Sequence, residues 1–205
     1  MNKSLLIFVG VLFTVVFSLS GLVLVPDWQF SGIGPFLAEG ADPSEAYPQP
    51  LSGGAEQGHA VYVDLGCVYC HSQQVRPEGF GADINRGWGN RRTVMRDYLF
   101  ETVNLMGTMR TGPDLANIGA RQPSRDWHNL HLYNPAITSP GSTMPPHPFL
   151  FEEGADMQHV PHGAIMLPAE WQTSEVKYIV PNARGKAVVD YLISLNRQFP
   201  LPEAQ

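Results

Sequence analysis

Cys67-Val68-Tyr69-Cys70-His71 is the stretch from which the fold of this chain is predicted. Two cysteines separated by two residues and followed at once by a histidine are typical of covalent haem attachment. Thiols at this spacing, at the end of a helix, can form thioethers with the two vinyl groups on one edge of a porphyrin. The adjacent histidine then lies beneath the iron. The motif therefore predicts one covalently attached haem c (iron), bound through Cys67 and Cys70 and ligated axially by His71.

Other chemistries for the two cysteines explain less of the motif. A structural zinc site needs about four ligands, and the chain has no cysteine besides these two. A thioredoxin-like redox pair is expected within a βαβ pattern, which the sequence lacks. A disulfide between Cys67 and Cys70 would leave His71 unexplained. Haem attachment of this kind fits the oxidising side of a membrane.

The second axial ligand is expected further along the chain. Met144 is followed by two prolines, which stiffen the loop that would present its thioether to the iron. Met166 also has a proline nearby, and an isolated methionine is more often a core filler than a ligand. Ligation by His128 or His131 is a further alternative. The sequence favours Met144 and leaves the other three residues open.

An apolar segment near the N-terminus predicts a membrane anchor. Residues 4–25 contain no charged side chain, and as a helix they would span the hydrocarbon core of a bilayer, which is about 30 Å thick. Lys3 precedes the segment, and Trp28 follows it where an aromatic side chain would lie at the interface. The apolar core of a cleaved signal peptide is shorter, about 7–15 residues, and ends at an A-x-A-like site that this segment lacks. Lys3 favours a cytoplasmic N-terminus and an external position for the rest.

The remainder divides into a connector and a domain. Residues 26–54 are rich in proline and glycine and are interpreted as an extended tether. Residues 55–205 are predicted to form a mainly α-helical domain. Its helices are expected immediately before Cys67, from about Arg125 to Tyr133, and from about Arg184 to Asn196. The region from Pro140 to Pro168 is dense in proline.

Composition and charge narrow the class of function. Hydrophobic residues make up 43% of the chain, so disorder is not predicted, and the net charge of −6 argues against a nucleic-acid partner. A cluster of six arginines within residues 76–110 could neutralise haem propionates, dock a partner subunit or form a solvated surface. The six are Arg76, Arg86, Arg91, Arg92, Arg96 and Arg110. No nucleophile–base pair, phosphate-binding loop or paired-carboxylate motif occurs beside the haem motif, so electron transfer is favoured over catalysis.

Several strings of residues resemble subunit II, the mono-haem subunit, of the cbb(3)-type haem-copper oxidases. The strings are Gly66 through Pro77, Arg110-Thr111-Gly112-Pro113-Asp114-Leu115, Asp126-Trp127-His128 with Asn134-Pro135, and Met144-Pro145. The resemblance covers the anchor and residues 55–150, and the string through Pro77 is more specific than Cys-x-x-Cys-His alone. Pro146-His147-Pro148 departs from the pattern, since an aromatic residue is expected before the last proline. Residues 152–181 are not matched, and their role stays open.

The resemblance implies a class I cytochrome c-like domain with long irregular insertions, behind a single transmembrane helix. It implies His71 and Met144 as the axial ligands of the iron, and Pro113 as the residue whose carbonyl orients the His71 ring. The implied partners are the catalytic haem-copper subunit, another c-type cytochrome subunit and membrane lipid. The implied location is the bacterial inner membrane, with the haem domain on the periplasmic side.

The function expected from this resemblance is to relay electrons within a terminal oxidase, with no catalytic site on the chain itself. Three alternatives remain: the anchored cytochrome subunit of a nitric oxide reductase, a free-standing anchored shuttle, and a gas sensor or haem enzyme with an open sixth position. Only the string through Pro77 speaks against the first. Carbon monoxide binding to the reduced protein would identify the third.

Overall fold

The structure is a computed structural model, and it describes residues 3–204. The chain folds into two compact units. The first runs to Gln49 and also includes Met95–Phe100. The second contains Pro50–Val94 and the chain from Glu101 onward. Because the segment 95–100 belongs to the first unit, the chain crosses between the units at three points.

One long helix dominates the first unit. It consists of α1 (Ser4–Leu19), a π-helical turn (Ser20–Leu24) and α2 (Val25–Phe30). The continuous helix Ser4–Phe30 has a mean hydropathy of 2.6 in its most apolar part, with none of that part buried. It is the one helix within residues 3–204 that is long and apolar enough to cross a membrane. The structure therefore contains the predicted spanning helix and extends it beyond residue 25.

Pro26 lies inside this helix, near the start of α2. A proline within a helix lacks one N–H donor and clashes with the carbonyl four residues earlier, which here belongs to Leu22. Leu22 is part of the π-helical turn. The wider turn relieves that clash. The helix therefore continues past residue 25, where the predicted apolar segment ends, to Phe30.

The rest of the first unit is held by specific contacts. Phe36 and Tyr47 form an antiparallel bridge, with backbone hydrogen bonds of 2.6 and 2.8 Å. The Tyr47 hydroxyl donates to Asp97 Oδ1 at 2.6 Å, and the Arg96 guanidinium donates to the Gly34 carbonyl. The segment 31–49 therefore has tertiary contacts with 95–100 and is not merely an extended chain.

Four helices shape the second unit. They are α3 (Gly53–Asp64), α4 (Ile118–Arg121), α5 (Arg125–Tyr133) and α6 (Ala183–Ser194). Ser124 caps α5 by accepting a hydrogen bond from Trp127 N at 3.2 Å, and Asn182 caps α6 by accepting one from Gly185 N at 3.0 Å. The predicted helix from Arg125 to Tyr133 is confirmed at both ends, and the C-terminal helix is confirmed within two residues.

Helices α3 and α6 pack closely because Gly58 has no side chain at their contact. A Cβ on Gly58 would lie 2.7 Å from the Cβ of Tyr191, which is closer than van der Waals contact allows. Tyr62, one turn later, meets the Tyr191 ring edge-on at 5.3 Å. Both tyrosines are almost fully buried. This helix pair fixes the end of α3, from which the Cys67–His71 motif follows.

A small antiparallel sheet lies between α5 and α6 in sequence. Its strands are β1 (Phe151–Gly154), β2 (Ile165–Met166) and β3 (Tyr178–Pro181), in the order β1-β3-β2. Phe151 pairs with Pro181, and Ile165 pairs with Ile179. The sequence did not predict these strands because each is short, β2 having two residues, and because their pairing joins segments far apart in the chain.

Candidate haem site

The candidate site is a cavity of about 570 Å³ in the second unit, within the size range of small-molecule and cofactor sites. All five site residues predicted from the sequence line it: Cys67, Cys70, His71, Pro113 and Met144. The cysteines and His71 come from the segment just after α3, and Pro113 comes from the Gly-Pro turn before α4. Met144 comes from the loop that follows α5. The structure therefore brings together residues that are up to 77 positions apart in the sequence.

A left-handed glycine sets the direction of the cysteine motif. Helix α3 gives way to Gly66, whose φ of +69° is a conformation that only glycine adopts without strain. A tight turn follows, in which the backbone N–H groups of Cys70 and His71 both donate to the Cys67 carbonyl, at 3.1 and 3.0 Å. This turn places the two cysteines and the histidine on the cavity wall.

The state of the two thiols argues against a redox pair. Cys67 and Cys70 are not joined in a disulfide. Burial raises the pKa of the Cys67 thiol to about 11, whereas a reactive redox cysteine needs a lowered pKa. The buried Cys67 thiol on the cavity wall therefore differs from a typical reactive redox cysteine.

The His71 ring is held on two sides. Its Nδ1 donates to the Pro113 carbonyl at 2.8 Å, so Nε2 is the ring nitrogen that carries a lone pair for a ligand. Gly112 lies against the face of the ring, and a Cβ there would be 2.6 Å from Nδ1 and 2.7 Å from Nε2. Backbone bonds from Gly112 N to Cys70 O (2.9 Å) and from Leu115 N to Ser72 O (2.8 Å) hold the two segments together. This close approach to the ring explains why a glycine occupies position 112.

The structure separates the two candidate methionines. Met144 lines the cavity and packs against the hydrophobic core. Its backbone N–H donates to Ser142 Oγ at 3.2 Å, which shapes the loop that presents it. Met166 lies on β2, has 41% of its surface exposed and is not part of the cavity wall.

The two histidines of α5 line the cavity but have other partners. His128 is 2% exposed, and its Nε2 donates to the Gln122 carbonyl at 2.8 Å. His131 Nδ1 is 2.6 Å from Thr138 Oγ1, and its ring stacks on Trp127 with centroids 4.7 Å apart. Burial, reinforced by neighbouring histidines, lowers the pKa of His131 to about 4, so the ring is neutral near pH 7. Both histidines line the cavity. The contact of His128 uses its Nε2, whereas the contact of His131 uses its Nδ1.

Arg121 is a site residue that the sequence reasoning missed. Among the residues in the described range 3–204, it is the only lysine, arginine, aspartate or glutamate on the cavity wall. Its guanidinium donates to the Asp114 carbonyl, while its buried Nε has no hydrogen-bond partner in that range. A buried N–H without an acceptor is costly, and a carboxylate of a bound cofactor would satisfy it. No sequence signal sets Arg121 apart from the other arginines.

Two members of the arginine cluster form ion pairs within the fold. Arg76 and Arg110 both contact Asp83, which is fully buried, at 3.0 and 2.6 Å. Burial alone would raise the pKa of Asp83, but the two guanidinium groups hold it well below its usual range. None of the six clustered arginines lies on the cavity wall. Their suggested role at haem propionates is therefore not supported, and the two that bind Asp83 stabilise the fold.

The cavity fits a haem. Two thiols and an imidazole lie on its wall, a thioether side chain is presented from a second segment, and most of the exposed wall is apolar. Arg121 offers one unused donor to a carboxylate. Side chains of the packed helices α3 and α6 complete the cavity wall. A site with this set of donors is typical of the haem-binding cytochromes.

Comparison with known families agrees with that class. The family model described as "Cytochrome C oxidase, mono-heme subunit/FixO" matches residues 2–183, and the chain belongs to this family. No curated protein matches the chain. The resemblance to the mono-haem oxidase subunit predicted from the sequence is thus confirmed, and the match includes residues 152–181. Membership implies one haem and a place in a cytochrome c oxidase complex.

Proposed function

We propose that this chain is a membrane-anchored c-type cytochrome that relays single electrons within a cbb(3)-type terminal oxidase, towards the haem-copper catalytic subunit. The observation that carries the proposal is that Cys67, Cys70, His71 and Met144 line the same cavity. The domain around it is proposed to be class I cytochrome c-like, with the small sheet as an insertion. A haem ligated by histidine and methionine exchanges one electron without binding substrate.

Each wall residue has a distinct part in holding the haem. The cysteine thiols are the attachment points, and the Pro113 carbonyl fixes the tautomer and orientation of His71. The Met144 thioether is the proposed sixth ligand, and a methionine in that position raises the reduction potential. Arg121 is placed to donate to a propionate. The apolar wall excludes water and so strengthens these electrostatic effects.

The helix Ser4–Phe30 supports the proposed membrane location because it is long and apolar enough to cross a bilayer. We propose that it holds the cytochrome domain on the periplasmic side of a bacterial inner membrane and pairs with a neighbouring subunit. Gly10, Thr14, Ser18 and Gly21 form a stripe of small and polar side chains, the type used by helix pairs in lipid. Nothing lies within 4 Å of a Cβ at Gly10 or Gly21, so the stripe is open to a partner helix.

The first experiment tests covalent attachment. Denatured protein should keep its haem on a gel, and Cys67→Ser and Cys70→Ser should each impair maturation. Pigment that extracts into acidified organic solvent from the unaltered protein would refute attachment through thioethers. Carbon monoxide binding to the reduced protein would indicate an open sixth position and a sensor or enzyme instead.

The second experiment tests the complex. Gentle solubilisation should yield the chain with the catalytic subunit and another c-type cytochrome subunit. Replacing Gly10 and Gly21 by leucine should loosen that complex and leave the haem spectrum unchanged. Copurification with a nitric oxide reductase would favour that alternative. A monomer, together with normal respiration in membranes that lack the chain, would favour a free-standing shuttle.

A further inference from the structure

A buried carboxylate lies beside the two segments that hold the proposed axial histidine. Asp114 follows Pro113, the acceptor of the His71 hydrogen bond, and has none of its surface exposed. Asp114 Oδ2 accepts from Ser72 Oγ and from Gln74 N, each at 2.7 Å. Oδ1 accepts from the N–H of Ala116 at 2.8 Å. Three donors and no acceptor around the group are the environment of an ionised carboxylate.

These contacts link the two segments that hold the His71 ring. Ser72 is the residue after His71, and Asp114 is the residue after Pro113. The carboxylate therefore ties the backbone that carries the imidazole to the backbone that carries its acceptor. Asp114 is thus close to both sides of the His71–Pro113 hydrogen bond, since it follows Pro113 in the chain and its carboxylate accepts from the side chain of Ser72.

The Asp114 carboxylate is paired less closely with arginine than the Asp83 carboxylate is. Arg110 Nη2 lies 3.8 Å from Asp114 Oδ2, beyond hydrogen-bond distance, and Arg110 Nη1 contacts Asp83 at 2.6 Å instead. The guanidinium of Arg121 binds the backbone carbonyl of Asp114 and not its carboxylate. Asp83, the other fully buried carboxylate of this region, has two arginines in direct contact.

We propose that Asp114 is a positioning and redox-tuning residue. Its negative charge, next to the segments that hold His71, lowers the reduction potential of the haem. The inference rests on the proposed function. Ferric iron carries one more positive charge than ferrous iron, so a nearby buried anion stabilises the oxidised state, and a low dielectric strengthens the effect. Asp114 would thus offset part of the rise in potential that a methionine ligand produces.

The test is redox titration of the full chain in its native complex, with variants that separate charge from hydrogen bonding. Asp114→Asn removes the charge and keeps the shape. Ser72→Ala removes one hydrogen bond and keeps the charge. Asp83→Asn removes an equal charge that is paired with two arginines. We expect Asp114→Asn to shift the reduction equilibrium about tenfold towards the ferrous state, or about 59 mV for one electron, and the two controls to shift it much less.

Several outcomes would overturn the proposal. An unchanged potential in Asp114→Asn, or an equal shift in Ser72→Ala, would show that Asp114 acts through structure alone. If the asparagine variant fails to mature, Asp114→Ser is the second variant, because it is also neutral but places no second donor against Ala116 N; an unchanged potential there refutes the inference equally. Failure of the proposed function is distinguishable because it would appear in the unaltered protein, as the absence of a covalent haem or of the oxidase complex, and not as a difference in potential between variants.

Discussion

Replacing Gly112 by alanine should displace the His71 ring. Gly112 lies against the imidazole, and an added Cβ would be 2.6 Å from Nδ1 and 2.7 Å from Nε2. Favourable contact between such atoms lies at roughly 3.5–4.0 Å, so the ring or the Gly-Pro turn must retreat by about 1 Å. The ring cannot retreat without stretching its 2.8 Å hydrogen bond to the Pro113 carbonyl.

The energetic cost can be bounded from these contacts. Overpacking a well-packed site costs about 1–3 kcal/mol, and a lost hydrogen bond adds about 0.5–1.5 kcal/mol. Gly112→Ala should therefore lower the free energy of unfolding by roughly 2–4 kcal/mol. In a chain of this size each kcal/mol lost lowers Tm by about 2–4 °C. Because His71 is the proposed axial ligand, the ferric spectrum should also change, with a mixed-spin or high-spin fraction.

The assay compares Gly112→Ala with Gly89→Ala by thermal unfolding and by visible and near-infrared absorption. A Cβ on Gly89 would be 2.7 Å from Asn117 Nδ2 and 2.8 Å from Val75 Cγ2, a similar clash that does not involve His71. The control should lose stability and keep its haem spectrum. A normal spectrum and potential in Gly112→Ala would refute the idea that the ligand ring rests on this glycine.

Three further changes test other parts of the site. Met144→Ala should abolish the near-infrared sulfur–iron charge-transfer band of the ferric protein, whereas Met166→Ala should keep it; the reverse result would exchange the assignment. Arg121→Gln should lower the reduction potential, by on the order of 60 mV for a tenfold change in equilibrium, because a cation near a propionate favours ferrous iron; an unchanged potential would place the propionates elsewhere. Glu101→Gln should cost about 3–5 kcal/mol in denaturant unfolding because it removes the carboxylate charge that contacts the guanidinium of Arg197, which is 5% exposed. A loss near zero would show that this pair is solvated.

The sequence predicted best where a local rule specifies structure. The Cys67–His71 motif, the Ser124 cap and the apolar run of residues 4–25 each depend on neighbouring residues, and the structure contains the corresponding turn, helix α5 and the long N-terminal helix. Met144 could be favoured over Met166 because prolines stiffen its loop. Placement of Met144 on the cavity wall agrees with that preference.

The sequence failed where structure depends on distant partners. The sheet β1-β3-β2 joins residues 151 and 181, and no local alternation marks a two-residue strand. Arg121 has neighbours in sequence that resemble those of other arginines, and only the cavity distinguishes it. The suggested propionate role of the arginine cluster is unsupported for the same reason, since proximity to the haem motif along the chain does not place a long side chain on the cavity wall.

The string that follows the haem motif has a physical reason for its specificity. Ser72 and Gln74 N bind Asp114, and Gln73, which is fully buried, hydrogen-bonds Tyr191 of α6 at 3.0 Å. Arg76 N and its guanidinium bind Asp83. Buried polar groups need such partners because each unsatisfied one costs about 1–3 kcal/mol. A single substitution at one of these positions would therefore leave a buried group without its partner, and for Ser72, Gln73 and Gln74 that partner lies at least 40 residues away.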